Sequence, residues 1–137
     1  MTGTGRMREV EVSRFVQAPP AAVDPLLSPV GLMDAEGSFE VREVTDTDEG
    51  TEVTVGGYGL ELVFRFADRP DGIAYEQVSG PLATLETTVT YTPEDEGTRL
   101  TARSRVAVGG PGVLDRLAAW KRRGELRRAL RAVADAA

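Results

Sequence analysis

The stretch TRLTARSRVAVGGPGVLDRLAAWKRRGELRRALRAVADAA, residues 98–137, decides the fold. Small or apolar side chains alternate with threonine and arginine over residues 98–108, which is the two-residue period of a strand with one wet face. Glycines and a proline at 109–112 end this strand. Residues 113–137 are rich in alanine, leucine and arginine and predict a helix. At ~1.5 Å per residue this helix is about 37 Å long, enough to cross a whole sheet.

Earlier segments with the same alternation predict the rest of that sheet. They lie around Phe39–Val41, Val53–Val55, Leu60–Phe66, Ile73–Ser79 and Ala83–Tyr91. A first strand is predicted over Arg8–Val16, and prolines then predict a short helix over Pro20–Leu27 and a second turn around Val30–Asp34. The predicted fold is α+β: a strand, two short helices, a six-stranded antiparallel meander, and a long C-terminal helix packed across the curved sheet.

The terminal helix carries two apolar stripes on nearly opposite sides. The first consists of Leu114, Leu117 and Trp120, and the second of Leu126, Leu130 and Val133. We expect the sheet to clasp the second stripe. The apolar residues move from one side of the helix to the other at Gly124, which predicts a kink or a change of packing partner there.

Length and composition predict one domain over residues 8–137, preceded by a flexible tail at 1–7. Hydrophobic residues make up 41% of the 137 residues and charged residues 28%, which is typical of a globular chain. No apolar run approaches the ~18 residues of a membrane span, and the N-terminus lacks the apolar stretch of a secretory signal. These features predict a cytoplasmic protein.

The sequence contains neither cysteine nor histidine. Disulfides, thiolate catalysis, histidine bases and the usual zinc sites are therefore excluded, and we predict no metal and no cofactor. Acid–base chemistry would fall to carboxylates, tyrosines, the single Lys121, or bound water. A binding protein is accordingly a stronger expectation than an enzyme.

The charge pattern is acidic, with 22 acids against 16 bases, fifteen of which are arginine. Such a surface predicts a protein from a halophile, although a GC-rich genome also favours arginine. The last helix is basic, with Lys121, Arg122, Arg123, Arg127, Arg128 and Arg131 forming a stripe. We interpret the stripe as a solvated face that pairs with the acidic body. The alternatives are contact with an acidic protein, RNA or a membrane surface, but we predict no nucleic-acid partner and no stable membrane insertion.

Two segments carry a resemblance to a known superfamily. Val12–Val23 (VSRFVQAPPAAV) resembles an opening strand followed by an alanine-proline helix entry, and Gly80–Tyr91 followed by Gly97–Leu100 resembles a penultimate hairpin. Together with the order of elements, they resemble the START-like superfamily, also called SRPBCC or helix-grip, and among its members the polyketide cyclase/dehydratase-like group. The resemblance covers about residues 8–135. It implies a cavity between sheet and helix, of the kind found in lipid carriers, plant allergen-type carriers and polyketide cyclases.

Within that fold, inward-facing side chains are the candidate ligand-binding residues. They are Phe64, Tyr75, Gln77, Leu85, Thr87, Ser104, Leu117 and Trp120. The apolar ones could equally be core, and the buried polar ones could be satisfied by neighbouring side chains or water. Arg14 and Glu43 also alternate in step with the apolar, inward-facing residues of their strands. There they could serve acid–base chemistry, or they could be turned to solvent at a strand end or bulge.

Three functions fit this reading. The first is a carrier or sensor that binds a small apolar molecule without converting it. The second is a cyclase- or dehydratase-like enzyme in which tyrosine and carboxylate groups act as acid and base. The third is a protein-interaction module that uses the basic stripe, and a homodimer is left open.

Overall fold

The computed structural model describes residues 7–109 and 112–137. Within these residues the chain forms seven strands, three α-helices and one 3₁₀ turn. In chain order the elements are β1 (Arg8–Val16), α1 (Pro20–Val23), the 3₁₀ turn (Asp24–Leu26), α2 (Pro29–Glu36), β2 (Glu40–Thr47), β3 (Gly50–Gly57), β4 (Leu60–Arg69), β5 (Gly72–Ser79), β6 (Thr84–Glu94), β7 (Gly97–Ala107) and α3 (Gly112–Ala136).

All seven strands belong to one antiparallel sheet with the order β1-β7-β6-β5-β4-β3-β2. Strands β2 to β7 form the meander, in which each strand pairs with the next along the chain. Strand β1 completes the sheet by pairing with β7 from Arg8 opposite Val106 to Val16 opposite Thr98. The predicted α+β, helix-grip architecture is confirmed.

Helix α3 packs mainly against β1, α2 and β7. Its apolar contact includes Leu126, Leu130 and Val133, which are at most 4% exposed. Burying an aliphatic side chain of this size contributes about 1.5–3 kcal/mol. The expectation that the sheet clasps this stripe is confirmed.

The first apolar stripe of α3 is on the outside of the molecule. Leu117 is 58% exposed and Trp120 is 74% exposed, so the prediction that these two side chains face the interior is wrong. Helix α3 is unbroken at Gly124, and its inward side on the N-terminal half instead carries Asp115 and Arg122. Arg122 has buried hydrogen-bond partners, and Asp115 Oδ1 accepts from the Val108 amide at 2.7 Å, so these contacts help to set the rotation of the helix.

The helical segment before β2 is less regular than predicted. Pro25 lacks a backbone N–H, and the predicted helix over Pro20–Leu27 divides into α1 and a 3₁₀ turn. Helix α2 is longer than the predicted turn and begins after Ser28, whose hydroxyl accepts a hydrogen bond from the Gly31 amide at 3.1 Å.

Residues 1–6 of the predicted tail and residues 110–111 of the predicted turn lie outside the described residues. No helix in the described part of the chain is both long enough and apolar enough to span a membrane.

Candidate functional site

A cavity of about 170 Å³ lies between the sheet, α2 and α3. Its walls are mainly apolar and include Phe64, Leu85, Val106 and Ala118. One end is polar and is formed by Glu36, Ser38, Lys121, Arg122 and Glu125. Leu60, Pro81 and Lys121 line the cavity and are also exposed, so the cavity opens to solvent on their side.

The end of α2 positions the first carboxylate of the polar end. Gly37 adopts a left-handed conformation, with φ of 78°, and its amide donates to the Met33 carbonyl, which closes the helix directly after Glu36. Arg128 of α3 donates from Nε to the Glu36 carbonyl at 2.8 Å. Glu36 is therefore fixed against α3 through its backbone, and its side chain is directed into the interior.

Arg122 is the centre of the polar end, and its side chain is 4% exposed. Its Nη1 donates to Glu36 Oε1 at 2.7 Å and to Glu125 Oε1 at 2.9 Å. Its Nη2 donates to Thr87 Oγ1 at 2.8 Å and to the Tyr75 hydroxyl. We call the set Glu36, Tyr75, Thr87, Ser104, Arg122 and Glu125 the polar cluster.

The remaining members of the polar cluster complete one another's hydrogen bonds. Arg122 Nε donates to Ser104 Oγ at 3.1 Å, and the hydroxyls of Ser104 and Thr87 are 2.9 Å apart. The Tyr75 hydroxyl donates to Glu36 Oε2. The Tyr75 ring stacks on Phe66 at a centroid distance of 4.5 Å, so its position is set by packing as well as by polar contacts.

Burial and mutual charge move the pKa values of this cluster apart. Burial raises the pKa of the Tyr75 hydroxyl far above its ordinary value; Arg122 acts against this increase and Glu36 adds to it. Burial by itself would lower the pKa of Arg122, but the charges of Glu36, Tyr75 and Glu125 outweigh it and hold that pKa well above the ordinary value. The cluster thus keeps a protonated tyrosine beside a permanent cation.

Glu125 forms the link between the buried guanidinium and the mouth of the cavity. Lys121 Nζ donates to Glu125 Oε2 at 2.8 Å and to Ser38 Oγ at 2.9 Å, and the Ser38 hydroxyl donates to the same carboxylate. Burial by itself would raise the pKa of Glu125, but Arg122, Lys121 and Ser38 outweigh it and hold that pKa below the ordinary value. The carboxylate is therefore ionised at neutral pH.

The eight sequence-predicted ligand residues occupy three different places. Phe64 and Leu85 line the cavity. Tyr75, Thr87 and Ser104 are buried in the polar cluster, where neighbouring side chains satisfy them.

Gln77, Leu117 and Trp120 lie elsewhere. Gln77 donates from Nε2 to the Leu82 carbonyl at 2.8 Å and thereby ties down the loop at residues 80–83. Leu117 and Trp120 are exposed, as described above. Arg14 and Glu43 are also exposed, and Glu43 follows a bulge in β2 on a stretch of the strand whose residues are all exposed.

Sequence reasoning missed Glu36, Arg122 and Glu125. It assigned Arg122 to the solvated basic stripe, and that assignment is wrong because the residue is 3% exposed. A signal was present, since Arg122 lies four residues before Leu126 and continues the buried face of the helix by one turn. Its buried environment contains two carboxylates, and this is what makes burying the guanidinium tolerable.

A larger groove, of about 540 Å³, lies on the other face of the sheet. Charged side chains surround it, and several are ion-paired, such as Arg65 with Glu52 at 3.1 Å and Arg105 with Glu86 at 3.5 Å. This groove is open to solvent, and charged side chains make up much of its lining. The cavity beside α3 is smaller but encloses apolar surface, which is what a small-molecule site requires.

Comparison with known proteins agrees with this geometry. The family described as polyketide cyclase/dehydrase and lipid transport matches residues 7–137. No curated protein matches the sequence at a significant level.

Solved structures with the same fold come from several bacteria. TTHA0849 from Thermus thermophilus is 21% identical with a TM-score of 0.75, and the alignment covers 94% of this chain and 96% of that one. The ZhuI aromatase/cyclase from a Streptomyces species is 21% identical with a TM-score of 0.66, covering 95% and 90%. A START superfamily protein from Mycobacterium smegmatis is 15% identical with a TM-score of 0.69, covering 93% and 97%.

At these sequence identities the structural likeness establishes the fold. The family match over residues 7–137 establishes which family the chain belongs to. Both are consistent with a fold that binds hydrophobic ligands. The chain belongs to the polyketide cyclase/dehydrase and lipid transport family.

Proposed function

We propose that the protein binds a small hydrophobic molecule in the cavity between the sheet and α3, and that it does not convert this molecule chemically. The observation that carries the proposal is the cavity itself, with apolar walls and one polar end. Pockets for small molecules have this composition, because apolar walls supply affinity and a few polar groups fix orientation.

The volume limits the size of the ligand. An engineered apolar cavity of about 150 Å³ in another protein binds benzene, whereas pockets for drug-sized ligands are about 300–1,000 Å³. At about 170 Å³ the present cavity fits a molecule of roughly one ring. A larger ligand requires movement at the mouth, where Pro81 and Leu82 lie on the loop at residues 80–83.

The electrostatics favour binding over catalysis. A cyclase- or dehydratase-like reaction requires an acid and a base whose pKa values lie near the working pH. Titratable groups do reach the cavity at Glu36, Lys121 and Glu125. However, the pKa of Glu125 is lowered and the pKa of Tyr75 is raised, so both move away from neutrality. The cluster is better suited to hold a fixed polar surface than to exchange protons.

A pair of alanines on α3 provides the test. Ala118 lines the cavity, whereas Ala132 is exposed on the same helix. Ala118→Leu fills part of the cavity, and Ala132→Leu adds the same atoms in solvent. Ligand-detected NMR with toluene and with phenol, two probes of equal size, should show binding to the wild type and to Ala132→Leu, and at least tenfold weaker binding to Ala118→Leu. Binding that Ala118→Leu leaves unchanged, or the absence of binding to the wild type, would overturn the proposal.

Mass spectrometry of compounds retained by the purified protein would then identify the natural ligand as one enriched apolar species. The cytoplasmic location, the halophilic origin, and the interaction role of the exposed arginines of α3 stay predictions.

A further inference from the structure

The chemical class of the ligand follows from a count of hydrogen-bonding capacity at the polar end of the cavity. This inference rests on the proposed function, because it assigns a ligand to the same cavity. A buried arginine beside an apolar pocket would ordinarily indicate an acidic ligand, since a guanidinium pairs well with a carboxylate. Here the arginine has no capacity left for one.

All five N–H groups of Arg122 are engaged within the protein. Nε donates to Ser104, and Nη1 donates to the carboxylates of Glu36 and Glu125. Nη2 donates to Thr87 and to the Tyr75 hydroxyl. A guanidinium has five donors in a fixed plane and no acceptor. A ligand carboxylate would therefore have to displace a contact that is already made.

The charges at the polar end also balance. Arg122 and Lys121 are cations, and Glu36 and Glu125 are their anionic partners, at 2.7 Å and 2.8 Å respectively. An acidic ligand would add an unpaired negative charge beside two carboxylates. In a cavity with apolar walls this charge loses its hydration, and Lys121, which keeps one N–H free, is already neutralised by Glu125 at 2.8 Å. The site consequently discriminates against anions.

Near the mouth, Lys121 offers a free donor and Glu125 offers a free acceptor position among the described residues. Lys121 has three N–H donors, and two of them bind Ser38 and Glu125. The third has no partner among residues 7–109 and 112–137. Glu125 Oε1 accepts only from Arg122 within the same residues, which leaves one of its lone pairs available.

A hydroxyl group donates one hydrogen bond and accepts another, so it matches this pair of positions. We propose that the ligand is a neutral molecule of about one ring bearing a hydroxyl group, a phenol or a cyclic alcohol. Glu125 accepts the hydrogen bond of its hydroxyl, and Lys121 donates to its oxygen.

The test compares three probes on the intact protein: phenol, toluene and benzoate. Phenol and toluene have the same size, and toluene is the more apolar, so burial alone favours toluene. We expect phenol to bind at least tenfold tighter than toluene to the wild type, and benzoate to bind at least tenfold weaker than phenol. Titration calorimetry or ligand-detected NMR gives all three affinities.

Two variants separate the roles of the residues. Lys121→Met removes the donor at an exposed position and keeps Glu125 as acceptor, so it should weaken phenol severalfold while leaving toluene unchanged. Glu125→Gln leaves a net positive charge at the polar end, and should strengthen benzoate at least tenfold relative to the wild type. The first variant does not disturb the buried pair of Arg122 and Glu36, so its fold is expected to be retained.

The outcomes distinguish this inference from the proposed function. If toluene binds as tightly as phenol, or benzoate binds tightest, the assignment of a neutral hydroxyl ligand is overturned and the cavity remains a binding site. If none of the probes binds, and Ala118→Leu changes nothing, the proposed function is overturned and this inference with it.

Discussion

Removing the cation from the polar cluster is the most informative perturbation of this protein. In Arg122→Met, an unbranched apolar side chain of similar length replaces the guanidinium. Glu125 keeps Lys121 as a partner, but Glu36 keeps only the Tyr75 hydroxyl. The side chain of Glu36 is 9% exposed, so one carboxylate is left buried without a cation. Breaking a buried pair in this way costs about 3–5 kcal/mol, and Thr87 and Ser104 still satisfy each other, so we expect about 4 kcal/mol.

Urea unfolding followed by far-ultraviolet circular dichroism measures this loss. With a slope of about 2 kcal/mol/M, a loss of about 4 kcal/mol lowers the midpoint by about 2 M. Arg127→Met, at an exposed position of the same helix, should change stability by less than about 0.5 kcal/mol. Adding Glu36→Gln to Arg122→Met removes the stranded charge and should recover about 2 kcal/mol. A loss below about 1 kcal/mol for Arg122→Met, or no recovery in the double variant, would refute the account of the cluster.

Three further predictions concern pH and backbone strain. Although burial opposes it, Arg122 holds the pKa of Glu125 below its ordinary value. The ionised carboxylate therefore stabilises the fold above its unfolded pKa, and this stability is lost as the pH falls through the folded pKa. Urea titrations from about pH 6 to about pH 3 should show a smaller decline in stability for Glu125→Gln than for the wild type. Burial raises the pKa of Tyr75, so tyrosinate absorbance at about pH 11 should coincide for the wild type and Tyr75→Phe, and an extra signal in the wild type would contradict its burial. A Cβ at Gly72, where φ is 150°, would lie 2.0 Å from a backbone oxygen of the facing strand, whereas a Cβ at Gly59 would meet open space. Gly72→Ala should therefore lower the urea midpoint of unfolding by clearly more than Gly59→Ala.

Local patterns were sufficient to predict the sheet. Alternation with a period of two places Phe64 and Leu85 on the inner face whichever strands they pair with, because side-chain direction in a strand depends only on parity. The same parity placed Tyr75, Thr87 and Ser104 inside. The sequence could not predict that these three polar groups are satisfied by the protein itself, since their shared partner lies on a helix far along the chain.

The two stripes of α3 mark the limit of this reasoning. Hydrophobicity alone assigned Leu117 and Trp120 to the interior and Arg122 to solvent, and the structure reverses both assignments. Arginine is rarely buried without a partner, so a sequence with no visible partner predicts exposure. Glu36 precedes Arg122 by 86 residues, and no local pattern connects them.

The sequence by itself therefore determined the strands, their inner faces, the terminal helix and the family, because periodicity, turn residues and chain order are local properties. Only the tertiary structure decided which side of α3 faces the cavity and which charges meet there. A buried charge is tolerated only where an opposite charge arrives in space, and its arrival depends on how α2 and α3 pack over the sheet.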